Sequence, residues 1–246
     1  MDTEKERQGL KRTPGDLQTM REVKVIFFDA TGTLIHLPRG VGHHYSDVAG
    51  RFGWNADAGS VGRAFRALWS EMPPPETTRE PKLDDDRGWW RALVDRVLDR
   101  SGAPDAFDRD GYFGAVYEEF TKPGVWELYP ETLEVLDALA SRYRLCVVSN
   151  FDRRLRTVLT QLGVIARFDD VIISSEAGAD KPDPWIFEHA LARAGIAPHE
   201  ALLVGDDPEC DVAGAQRAGW RAFHVERSRT TLRDLLVHLR ADSPAP

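Results

Sequence analysis

The sequence predicts an α/β fold, a parallel sheet with helices on both faces, carrying an all-helical module inserted behind its first strand. Three observations predict it. Val23 to Phe28 is a short, nearly continuous apolar run, as a strand buried on both faces requires. Four similar runs recur much later, at Leu145–Val148, Val171–Ile173, Ala201–Val204 and Ala222–Val225, with helical patterns between them. The long stretch between the first two runs breaks this alternation, and its strongest segments are helical.

Taken in order, residues 1–21 are polar, show no apolar period and contain Pro14-Gly15, so an N-terminal tail is expected there. The core opens at residue 22 and runs to 37. Within residues 38–122, two stripes follow the i, i+3, i+4, i+7, i+8 spacing of an amphipathic helix. Val61, Ala64, Phe65, Leu68 and Trp69 make the first; Trp90, Leu93, Val94, Val97 and Leu98 make the second. Pro73-Pro74-Pro75 through Pro81 separates them. The core resumes at 123 and continues to 240, leaving a short tail at 241–246. Its helices are marked by Leu133, Leu136, Asp137 and Ala140, by Leu155, Val158, Leu159 and Leu162, and by Ile186, Phe187, Ala190 and Leu191. Strand alternating with helix implies right-handed crossovers and a Rossmann-like parallel sheet.

Composition sets the outer limits. Of 246 residues, Lys and Arg supply 32 and Asp and Glu 40, a net charge of −8. With a pI ≈ 5.4, this argues against nucleic acid or an anionic membrane as partner. A hydrophobic content of 42% excludes wholesale disorder. No apolar run approaches the roughly 18 residues of a membrane span. Two cysteines, Cys146 and Cys210, make neither a disulfide framework nor a metal motif. The first twenty residues lack the apolar centre of a secretory signal. A cytoplasmic protein acting on a small molecule is expected, its oligomeric state unread.

In open parallel sheets, ligands bind beyond the carboxyl ends of the strands. Strand one ends in Asp29, within FFDATGTL (27–34), and strand two in Ser149-Asn150. Lys181, in DKPDP, follows strand three; strand four ends in Gly205-Asp206-Asp207, with Asp211 four residues on. Each residue has an ordinary reading. An Asp at a strand end is most often a turn or helix-capping residue, and Asp207 before Pro208 fits that use. Lys181 alone is a solvated loop charge, and Ser149 a local backbone bonder. Their joint placement on one edge of the sheet decides for a site.

Such a set suits phosphoryl or similar group transfer. A carboxylate can attack phosphorus once the repulsion between anions is cancelled. A hard divalent cation on Asp29 and Asp206, assisted by Asp207 or Asp211, would cancel it. Lys181 adds fixed positive charge, and Ser149 with nearby amides donates to phosphate oxygens. Asp29 then forms a covalent acyl phosphate, dividing one hard step into two.

At these residues the chain resembles the haloacid dehalogenase-like hydrolase superfamily. Asp29 through Thr33, Ser149, Lys181, and Asp206 with Asp211 stand in the order of its four motifs. The resemblance spans about residues 22–240, and the helical insert matches members with an α-helical cap at that point. SNFDRRL (149–155), KPDPWIF (181–187), VGDD (204–207) and the paired Trp89-Trp90 look most like a branch known only by the superfamily's name. The resemblance implies Asp29 as nucleophile and Mg²⁺ as cofactor, held by Asp29, the Thr31 carbonyl and Asp206. Thr33, Ser149 and Lys181 are expected in the catalytic set; Thr31, Gly32 and Asn150 are expected at the substrate.

One position departs from the pattern. Phosphatases of this superfamily usually carry a second Asp two residues after the nucleophile, which protonates the leaving group. Here it is Thr31, whose hydroxyl cannot hold or release a proton near neutral pH as a carboxyl can. Losing such a group costs about 10²–10⁴ in rate. Mg²⁺-dependent hydrolysis of a small phosphate ester, slow where the leaving group is poor, is the favoured reading. The alternatives are 2-haloacid dehalogenation and binding of a phosphorylated ligand without turnover. Gly40-Val41-Gly42 reads as a flexible loop, and His43-His44 as solvent-facing or module-core residues. Arg153 and Arg154 are either anion-steering or solvated. Trp90 fits the core stripe, which leaves Trp89 to roof a pocket.

Overall fold

The computed structural model describes residues 23–240; the two expected tails lie outside the described residues. In chain order the elements begin with β1 (Val25–Phe28), β2 (Ile35–His36), α1 (Val41–Arg51), α2 (Ala58–Glu71), α3 (Arg87–Ser101) and α4 (Arg109–Glu119). There follow β3 (Glu127–Leu128), α5 (Thr132–Ala140), β4 (Arg144–Ser149), α6 (Arg154–Gln161), β5 (Asp170–Ile173) and α7 (Ser174–Ala177). The chain closes with α8 (Pro184–Ala194), β6 (Ala201–Gly205), a π-helical turn (Pro208–Ala213), α9 (Gly214–Arg217), β7 (Arg221–His224) and α10 (Leu232–Arg240).

Five strands form one parallel sheet in the order β5-β4-β1-β6-β7. All five expected strands are present. β1 lies at the centre because its VIFF run is apolar on both sides, and all four residues are buried. Ile26 and Phe28 pack on one face with Val147 and Leu136; Val25 and Phe27 pack on the other with Val148 and Phe187. From β1 the chain moves outward through β4 to β5, then crosses back to β6 and β7. The order therefore reverses beside β1, and a crevice opens there at the carboxyl ends. Cys146 is buried in β4, where burial pushes its thiol up to about 12 and disfavours the thiolate.

Helices α1–α4 enclose a separate apolar cluster that includes Tyr45, Val61, Leu68, Leu93, Val97 and Tyr112. β2 and β3 pair antiparallel where the chain leaves the core and returns, Ile35 opposite Leu128. These two-residue strands, like α1 and α4, were not among the sequence expectations. Gly42 lies inside α1 rather than in a flexible loop. A Cβ there would come 2.2 Å from Ala58 O, so the glycine lets α1 and α2 touch. His43 is exposed, whereas His44 is buried in the module core.

Two expected stripes need correction. In α5 the buried face is Val135, Leu136 and Leu139, while Leu133 is exposed. In α2, Val61, Ala64 and Leu68 are buried but Trp69 is 47% exposed. The stripe marks an apolar face without saying what covers it, and here part of that face looks into a cleft. The proline-rich break is more than a linker. Thr78 and Arg79 amides donate to Gly178 O at 2.8 and 3.0 Å, and the Lys82 amide to Ser175 O at 2.8 Å. Ser175 Oγ donates to Asp85 at 2.5 Å, strapping the module to the core close to Lys181. Among the described residues no helix is long and apolar enough to cross a membrane.

Candidate active site

Asp29 follows directly on β1, so its carboxylate emerges where the strand order reverses. It is 8% exposed. Its Oδ1 accepts from Ser149 Oγ at 3.1 Å and from Lys181 Nζ at 2.7 Å. Lys181, 3% exposed, also donates to Val148 O at 2.9 Å and to Asp211 Oδ1 at 2.6 Å. Asp211, on the π-helical turn, accepts the Asp207 amide on its other oxygen at 3.0 Å. Asp206, just past β6, accepts from Thr33 Oγ1 at 3.2 Å.

Asp29, Asp206 and Asp211 each offer an oxygen within 4.8 Å of the others. Two buried carboxylates and the half-buried Asp206 face one ammonium. Burial, with Asp211 and Asp206 adding to it, pushes Asp29 up to about 7 against the opposing pull of Lys181. Burial and then Asp211 raise Asp206. Lys181 is penalised by burial, yet Asp29 and Asp211 more than offset this and hold it protonated. An all-oxygen, net-negative set of this kind fits a hard divalent cation such as Mg²⁺.

The other expected residues divide. Asp207 lies outside this group because its Oδ1 accepts the amides of Glu209 at 2.8 Å and Cys210 at 2.7 Å, capping the turn that Pro208 opens. Asn150 spends its amide on the backbone of Lys181, donating to its carbonyl at 2.8 Å and accepting its N–H at 2.6 Å. Gly32 has φ +84, and a Cβ there would lie 2.2 Å from Asp206 Oδ2. Its N–H donates to Ile35 O and its carbonyl accepts from Arg227 Nε, so its polar atoms serve the loop. Thr33 is fully buried and orients Asp206. Thr31 is exposed on the cleft wall. Cys210 also lines the cleft, its thiol raised to about 12 by burial and Asp207.

Arg227 was missed. It lies three residues past β7, donates to the carbonyls of Gly32 and Thr33, and pairs with Glu131 at 2.5 Å. Its guanidinium stands 3.4 Å from the Tyr129 ring centre. The strand-end rule that found Asp29 applies equally to β7. Arg154, left open between steering and solvation, is a strut. It bonds Asp152 twice, donates to Tyr117 O at 2.7 Å and stacks on that ring at 3.6 Å.

A cleft of about 730 Å³ runs from Asp29, Ser149, Lys181 and Asp206 into the helical module. Both Trp89 and Trp90 line it, though Trp89 also donates its indole N–H to Pro73 O at 2.8 Å.

Relatives agree with this architecture. The chain is 35% identical over 213 residues to haloacid dehalogenase-like hydrolase domain-containing protein 3 of Mus musculus, covering 84% of this chain and 83% of that one. It is 42% identical over 171 residues to a phosphoserine phosphatase of Thermus thermophilus, covering 67% of this chain and 64% of the relative. The structure of the HAD-hydrolase YfnB from Bacillus subtilis superposes with a TM-score of 0.74 at 15% identity, over 89% of this chain and 99% of that one, which shows the shared fold. A family model described as haloacid dehalogenase-like hydrolase matches residues 23–219, and the chain belongs to that family.

Proposed function

We propose that the protein is a cytoplasmic Mg²⁺-dependent phosphate-ester hydrolase that works through a phosphorylated Asp29. The observation that carries the reading is Lys181, buried between Asp29 and Asp211 with Asp206 alongside. Asp29, Asp206 and the Thr31 carbonyl would hold the ion, whose charge offsets the repulsion between carboxylate and phosphate. Both side-chain donors reach Asp29 Oδ1, which leaves Oδ2 to attack. As the Oδ2–phosphorus bond forms, the ester P–O bond breaks and the leaving oxygen keeps the electron pair. Thr31 offers no acid, so that oxygen takes its proton from water. A second water then attacks phosphorus, releasing inorganic phosphate and restoring the carboxylate. The phosphoserine phosphatase relative supports phosphate chemistry.

Hydrolysis of an activated aryl phosphate, with and without Mg²⁺, by wild type and Asp29→Asn tests this. Turnover that requires both Mg²⁺ and Asp29 is expected. Turnover surviving in Asp29→Asn removes the covalent route, and Mg²⁺ binding without turnover turns the reading to a phospho-ligand-binding protein. Thr31→Asp should speed hydrolysis of esters with poor leaving groups by up to about 10²-fold. The threonine at 31 favours one second reading, displacement of halide from a 2-haloacid by Asp29, which halide release would reveal.

A further inference from the structure

We infer that the group carried by the phosphate is bulky, flat and largely apolar, an aromatic or polycyclic alcohol rather than a small polar one; this rests on the phosphoester reading and names its substrate class. The wall of the cleft opposite Asp29 is aromatic. Trp69 stacks on Phe65 with centroids 5.8 Å apart and planes at 21°. It meets Trp89 edge-on at 5.4 Å and Trp90 at 5.8 Å, and those two indoles cross at 87°. On the core side Phe151 and Trp126 continue the lining, 6.0 Å apart. A solvent-facing Trp69 is costly unless something covers it, and it faces the same cleft as the nucleophile.

Two of the charged groups of the cleft are tied into ion pairs. Asp86 pairs with Lys82 at 2.8 Å, and Arg154 is held by Asp152 and Tyr117. Asp180 and Arg66 line the cleft as well; burial raises Asp180, which disfavours its charge, and Arg66 is exposed on α2. A volume of 730 Å³ far exceeds what a serine-sized group fills. A flat ring system would instead lie against rigid indoles, and aromatic pairs of this kind add to area burial. Covering the cleft also sheds water beside Asp29, where the acyl phosphate must persist until its own water arrives.

The test separates the pocket from the chemistry. Calorimetric titration of Asp29→Asn in Mg²⁺ with phenyl phosphate, 2-naphthyl phosphate and phosphoserine reads binding alone. The second fused ring adds roughly 50 Å² of apolar surface, so 2-naphthyl phosphate should bind about five- to tenfold more tightly than phenyl phosphate. Phosphoserine should bind most weakly. Adding Trp69→Ala, a truncation at an already exposed position, should cut the naphthyl advantage to about twofold. Equal affinity for the two aryl esters, or phosphoserine binding better than either, overturns the inference. Wild-type turnover of acetyl phosphate, too small to reach the indoles, reports the hydrolytic reading separately. If that turnover is absent the hydrolase reading falls, while the affinity order still decides what the cleft accepts.

Discussion

Replacing Asp29 by asparagine should stabilise the protein in the absence of divalent metal. Asp29 sits at the carboxyl end of the central strand, buried beside Asp206 and Asp211, and its pKa is raised from 3.8 to about 7, chiefly by burial. Between those values the folded chain holds a proton that the unfolded chain releases. Wild-type stability therefore falls as pH climbs through that window and stays low above it. At about 1.4 kcal/mol per pH unit the interval sets a ceiling of about 4 kcal/mol. Lys181 and the neighbouring carboxylates readjust when one charge is removed, so about half is expected for one substitution. Asparagine keeps the acceptor for Lys181 and Ser149 and carries no charge. In EDTA at pH 8.5, Asp29→Asn should then melt roughly 4–8 °C above wild type, as about 2 kcal/mol implies for a chain of this size. The gap should narrow to under half at pH 5 and close near pH 4. Mg²⁺ should raise the wild-type melting temperature more than the variant's, because the ion meets one carboxylate fewer there. A variant that melts below wild type at pH 8.5, or a gap that ignores pH, would refute the charge argument.

Two further substitutions test the groups that hold the site in place. Arg227→Ala leaves the Glu131 carboxylate buried without its partner and frees the carbonyls of Gly32 and Thr33; urea unfolding should show a loss of roughly 3 kcal/mol. A loss below about 1 kcal/mol would mean the clamp is ornamental to the fold. Gly32→Ala places a methyl 2.2 Å from Asp206 Oδ2 at φ +84, so Asp206 must move. Mg²⁺ affinity by calorimetry should drop at least about tenfold, as misplaced ligand partners typically cause, and unchanged affinity would remove Asp206 from the cation site.

What the sequence disclosed follows from how each element is buried. The five core strands were legible because two-sided burial writes a continuous apolar run. β2 and β3, two residues each, are too short to carry a period. In α4 the buried Tyr112, Phe113 and Val116 are interleaved with charged and small residues, which blurs the helical stripe. Trp69 falls on the helical stripe although it is exposed, because a stripe records which side is apolar, and an aromatic cleft wall writes the same stripe as a core. Within the site, Asp29, Ser149, Lys181, Asp206 and Asp211 were legible as a set because strand ends convert one-dimensional spacing into a shared edge. Arg227 obeys the same rule but announces no chemistry by its type; its function is to hold carbonyls.

Asp207 and Asp211 show why position alone could not assign which carboxylate faces Asp29. Both are carboxylates on one turn, four residues apart. Pro208 at the first helical position commits Asp207 to the N-cap, so its carboxylate turns back onto the amides of Glu209 and Cys210. That same geometry aims the Asp207 amide at Asp211, fixing the carboxylate that grips Lys181, which in turn grips Asp29. The residue that caps this turn thus orients Asp29 through three successive hydrogen bonds. Here the ordinary capping reading and the site reading of one motif are parts of a single arrangement, because the helix that needs a cap is also the one that carries the anchor for the lysine.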